Sequence, residues 1–126
     1  MVSSSAIIVA ISMLWLIFLS TNVSRLRMKE QISMGDGGNK TVRNAVRAHG
    51  NAVEAMVPYM VLVVVWELQG AGSGAVLGLS GAFLFGRLLH GWGLLGRQHR
   101  SRQLGATVSL VTSLILAVAV LWRGLA

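Results

Sequence analysis

The sequence contains no cysteine. Disulfides, a protein thiolate nucleophile and cysteine metal sites are therefore excluded, and any thiol chemistry needs a thiol carried in by a ligand. Charge is scarce as well. Only 12% of the 126 residues are charged, against the ~25% a soluble domain uses to cover its surface. Acids are the scarcest of these, four against eleven Lys and Arg. The three histidines, His49, His90 and His99, lack metal-ligand spacing, so no metal centre is expected. Tyr59 is the only tyrosine.

What remains is apolar. Hydrophobic residues make up 54% of the chain, a composition that suits lipid rather than water as solvent. Four stretches stand out, at about 6–23, 43–66, 75–96 and 104–122. Each is near the ~20 residues a helix needs to cross ~30 Å of hydrocarbon. The expected fold is all-α, a four-transmembrane-helix bundle forming one domain over residues 1–126. No basic residue precedes the first stretch and no small-x-small site follows it, so a retained helix is expected rather than a cleaved signal.

The net charge of +7 is placed unevenly. Arg25, Arg27, Lys29 and Lys40 lie between the first two apolar stretches, Arg43 and Arg47 at the start of the second, and Arg97, Arg100 and Arg102 between the last two. The connection Gln69-Gly70-Ala71-Gly72-Ser73-Gly74 has no basic residue. Basic residues confined to alternate loops follow the positive-inside rule. The basic loops are then cytoplasmic, both termini and the glycine-rich connection outside, and no nucleic acid partner is needed. Glycines along the third stretch (Gly74, Gly78, Gly81, Gly86, Gly93, Gly96) predict close helix packing.

Charges inside the apolar stretches carry the functional information, because a central charge costs roughly 2.5–3.5 kcal/mol on insertion scales. Arg43, Arg47, Asn51 and Glu54 recur at helical spacing and form one stripe, which Pro58 continues. His49 points roughly the other way. Arg87 and His90 share a face of the third helix, and Arg100 and Arg102 stand at the start of the fourth. Several arginines against one carboxylate leave surplus positive charge. A peptide-like anion answers it, with arginines gripping its carboxylates and Glu54 taking its ammonium.

The run Arg47-Ala48-His49-x-Asn51-x-x-Glu54, with Pro58 after it and Arg87-x-x-His90 on the third helix, resembles the signature of the MAPEG superfamily. These are the membrane-associated proteins of eicosanoid and glutathione metabolism. The likeness covers essentially the whole chain, and the short length suggests the bacterial branch, in an inner membrane. It implies a homotrimer binding glutathione between neighbouring subunits at the cytoplasmic side. Carried over by position, Arg25, Arg47, Asn51, Glu54, Arg87 and His90 would bind glutathione, and Arg102 would stabilise its thiolate for catalysis. Asp36 falls where a prostaglandin-synthase branch has a functional aspartate. The implied activity is a glutathione-dependent transferase or peroxidase acting on a hydrophobic electrophile. Gly50 replaces an additional basic residue of the prostaglandin-synthase type, and tyrosines common on the third and fourth helices are missing. Those departures suggest the alternative, a non-catalytic member that binds glutathione or a lipid. Small multidrug transporters have a similar length and four helices, but they set an essential glutamate inside the first helix, where this chain has no carboxylate.

Overall fold

A computed structural model describes residues 3–126 of the chain. Two of its helix starts are written in the residues before them. The Ser3 hydroxyl accepts from the Ala6 N–H to open α1, Ser4–Lys29. The Asn39 side chain accepts from the N–H groups of Thr41 and Val42, at 2.9 and 3.1 Å, to open α2, Lys40–Leu68. Such caps satisfy N–H groups that have no partner within the helix. Helix α3 runs Ser73–Leu95 and α4 His99–Leu125. All four are long and apolar enough to cross a membrane.

The helices outrun the apolar stretches, most of all at the basic end. Helix α1 continues through Arg25, Arg27 and Lys29 rather than ending near residue 23, and α4 starts at His99 rather than near 104. The apolar window marks the depth of lipid, not the end of the helix. Arg, Lys, Met and Gln are good helix formers and carry the backbone past it. Arg100 and Arg102 are consequently helical, and only residues 96–98 join α3 to α4.

Among the described residues α1 packs on α2 and α3, α4 packs on the same two, and α1 and α4 do not touch. Helices α2 and α3 thus form the centre, with α1 and α4 on their flanks. The core is aliphatic around one aromatic pair, Tyr59 and Phe83, whose rings stack with centroids 3.7 Å apart. The Tyr59 hydroxyl meets that of Ser80 at 3.1 Å, which satisfies a polar tip inside the core. Leu14, Leu110, Leu114 and Trp122 are each more than 60% exposed, as lipid-facing side chains should be.

The glycines divide into two sets. A Cβ on Gly105 would collide with the Gly86 carbonyl and the His90 N–H, and one on Gly86 would press on Ser109 and Val108. These two glycines let α3 and α4 approach backbone to backbone. Gly93 is closed in by Arg102 and Gln98, and Gly91 by Trp15. Gly74, Gly78 and Gly81 meet nothing within 4 Å. The expected close packing on α3 therefore holds for its second half alone, within one chain.

At the end away from the basic loops, Glu67 clasps the start of α1. Its carboxylate accepts from the N–H groups of Ser4 and Ser5, at 2.7 and 3.0 Å, and from the Ser5 hydroxyl. Arg123 donates to the Gln69 carbonyl at 2.8 Å, and the Gln69 amide donates to the Val120 carbonyl at 3.2 Å. That end is polar and mostly paired, with Trp66 Nε1 and Gln69 Oε1 left without partners among the described residues.

Candidate functional site

The largest concentration of polar groups within the spans lines a cavity of about 410 Å³ between α2, α3 and α4. Helix periodicity brings Asn51, Glu54 and Pro58 to it from one face of α2, and Arg87 and His90 from one face of α3. Ser109 and Ser113 close it from α4. The Gly86–Gly105 approach sits directly behind it, because Gly105 packs on the His90 backbone and Gly86 precedes Arg87. The volume lies in the range of small-molecule sites, roughly 300–1,000 Å³.

Arg87 is the anomaly in this cavity. It is 4% exposed, and its Nε has no hydrogen-bond partner among the described residues. One terminal nitrogen, Nη2, lies 3.1 Å from His90 Nδ1. Arginine can only donate, so His90 must accept there, which assigns it the neutral tautomer with its proton on Nε2. The pair therefore presents donors and one fixed positive charge.

Glu54 is the counterpart. It lies exposed on the flank of the chain rather than buried, and among the described residues no cation pairs with it. Among the described residues the one ion pair is Arg43–Asp36, at 2.7 Å, outside the cavity. Pro58 adds an acceptor, since it has no N–H and leaves the Glu54 carbonyl without its usual i→i+4 donor. A cation site and an anion site thus face one space from two helices.

The remaining sequence candidates lie elsewhere. Arg47 is exposed one turn nearer the basic end, where its carbonyl accepts from the Asn51 amide at 2.9 Å. Arg25 is exposed on α1 and donates to the Asn22 side chain at 2.9 Å, without lining the cavity. Arg102 opens into a second recess of about 180 Å³ together with Asn44, Arg97 and His99. His49 faces a cleft between α1 and α2, as its helical phase required. Asp36 serves its own loop. It accepts from Arg43 and from the Gly38 N–H, and the Arg43 guanidinium holds its carboxyl below the usual carboxylate range.

Residues 5–122 match the model of the MAPEG family. The chain belongs to that family. Within it, the chain is 36% identical over 118 residues to the inner membrane protein YecN of Escherichia coli K12, covering 94% of this chain and 90% of YecN. The YecN of Escherichia coli O6:H1 matches to the same extent. The MAPEG assignment therefore spans all four helices and both sides of the cavity.

Sequence reasoning did not find Tyr59, Ser109 or Ser113 as part of the site. A signal for the last two existed, because Gly105, Ser109, Thr112 and Ser113 put small and hydroxyl residues on neighbouring turns of α4. Asn44 and Arg97, which line the second recess, carried none. They come together only through the turn after α3.

Proposed function

We propose that the cavity binds glutathione and that this MAPEG protein is a glutathione-dependent transferase or peroxidase acting on hydrophobic electrophiles at the cytoplasmic face of the inner membrane. The observation that carries the reading is the unpaired buried guanidinium of Arg87, facing the same space as the unpaired carboxylate of Glu54. A zwitterionic peptide matches both, carboxylate to Arg87 and ammonium to Glu54. Asn51 and His90 add polar contacts. The chain has no thiol of its own, so the ligand must bring one.

Arg47, exposed on the same stripe, would reach the tripeptide from the mouth of the cavity. Arg25 lies on another face and would have to come from a neighbouring copy, in keeping with a homotrimer. The open glycine face of Gly74, Gly78 and Gly81 suits such close helix contact. Arg102 would act on the thiol. A guanidinium nearby favours the thiolate and lowers its pKa from about 8.5. The thiolate sulfur then forms a bond to the electrophilic carbon, and the leaving group departs with its electron pair. The electrophile arrives through lipid.

The test is calorimetry of the detergent-purified protein with glutathione. Losing one charge-assisted contact is worth ~1.5–3 kcal/mol, so Glu54→Gln and Arg87→Ala should each weaken binding about tenfold to a hundredfold. Equal affinity in all three proteins would refute the site.

One observation favours a second reading, in which glutathione or a lipid binds without turnover. Arg102 Nη2 lies 3.2 Å from His99 Nδ1, in the second recess rather than in the cavity. Activity toward a generic aromatic halide that drops sharply in Arg102→Ala supports the enzyme. Binding with no turnover across a panel of electrophiles supports the second reading.

A further inference from the structure

We propose that the recess at the α3–α4 turn is a separate binding site for a phosphate-type oxyanion, supplied by a phospholipid headgroup in the adjoining leaflet or by free phosphate. Its polar lining is Asn44 from α2, Arg97 from the turn, and His99 and Arg102 from the first turn of α4. No carboxylate lines it, and among the described residues neither arginine takes part in an ion pair. Arg97 gives one nitrogen to the Thr41 hydroxyl at 3.3 Å, which aims the guanidinium without neutralising it. Arg102 donates to His99 Nδ1, so the proton of that imidazole is on Nε2 and is free to donate. Four side chains thus offer donors, two of them charged, to one small space.

Donor chemistry points to the ligand class. The recess, at about 180 Å³, has room for a tetrahedral oxyanion among these donors. Convergent guanidinium groups suit phosphate geometry. Among the described residues Arg97 is one of two non-glycine residues with positive φ, at 55°, and it closes α3 in the way helices commonly end, with the Gln98 N–H returning to the Gly93 carbonyl at 2.7 Å. Directly after the recess, α4 turns its exposed apolar face outward with Leu104, so a headgroup bound here leaves its acyl chains against lipid-facing residues.

The proposal does not rest on glutathione binding, although the recess shares Arg102 with the thiol contact proposed above, and it is tested in two arms. In one, the detergent-purified full chain is titrated with inorganic phosphate. In the other, it is placed in phosphatidylcholine nanodiscs with increasing phosphatidylglycerol. Both arms follow the imidazole resonances of His99. A saturable shift is expected in at least one arm, weakened about tenfold or more by Arg97→Ala and by Asn44→Ala, and unaffected by Lys29→Ala, a basic residue outside the recess. A shift confined to phosphatidylglycerol discs assigns the headgroup, and one confined to phosphate assigns the free ion. No saturable shift, or equal weakening by Lys29→Ala, overturns the site in favour of diffuse attraction. Glutathione affinity is measured on the same variants. If Arg97→Ala weakens glutathione as much as phosphate, the recess belongs to the tripeptide and the proposal fails. Unchanged glutathione affinity upholds it.

Discussion

Glu54 and Glu67 stand on the same helix, roughly 20 Å apart at 1.5 Å per residue. Glu67 accepts three hydrogen bonds from the start of α1. Glu54 faces a cavity with no cation against it, and the guanidinium across that cavity has an unsatisfied nitrogen. Among the described residues unpartnered uncharged groups occur elsewhere in the bundle, at Ser12, Trp15, Trp66 and Gln69, but Arg87 is the one buried charged side chain among them. One carboxylate is used up in capping a helix, and the other faces that guanidinium across an open space. An intramembrane charge without a partner teaches where to look for function.

The harshest way to break the comparison acts on the α3–α4 seam behind the cavity. Gly105→Val puts a branched side chain against the backbone of Gly86 and His90, which cannot swing aside. A cost of ~3 kcal/mol or more is expected, seen as a large fall in melting temperature with loss of the cavity. Next comes the cavity itself. Arg87→Met should weaken glutathione about tenfold to a hundredfold while leaving stability unchanged or higher, because an unpaired buried charge is replaced by a side chain of similar length. A clear fall in melting temperature for that variant would mean the guanidinium is structural.

The pattern of charge made much of this legible. Four spans, the shared face of Asn51, Glu54 and Pro58 and the pairing of Arg87 with His90 follow from hydropathy and a period of 3.6, and each appears in the structure. Arg43 and Arg47, from the same stripe, do not line the cavity. What depends on tertiary approach could not be read. Nothing local marks Gly86 and Gly105 as contacts while leaving Gly74 and Gly78 open, because all sit in similar surroundings along their helices. Helix ends were misjudged wherever charged helix formers continue past the lipid. That error hid the helical start at His99 and with it the recess that takes Arg102 away from Glu54.

Smaller effects sharpen the contrast. Glu67→Gln keeps an acceptor oxygen but loses charge at the start of α1, where the helix dipole favours an anion. A modest drop in melting temperature with unchanged glutathione affinity is expected. The smallest effect belongs to Asp36. Its carboxyl is held low by Arg43, so the pair contributes at neutral pH and the contribution is lost as pH falls through the lowered value. Asp36→Asn should erase that acid dependence and change little at pH 7, as amide exchange of the Gly38 N–H would report.

The most direct test is the ligand-induced shift in melting temperature, measured for the wild type, Glu54→Gln and Glu67→Gln with and without glutathione. A ligand that binds only the folded state raises the melting temperature in proportion to its occupancy. Glu67→Gln should start lower and rise as much as the wild type, whereas Glu54→Gln should start level with the wild type and rise little. A Glu54→Gln protein that starts lower and keeps the full rise would contradict the division between a carboxylate that caps α1 and one that waits for a ligand.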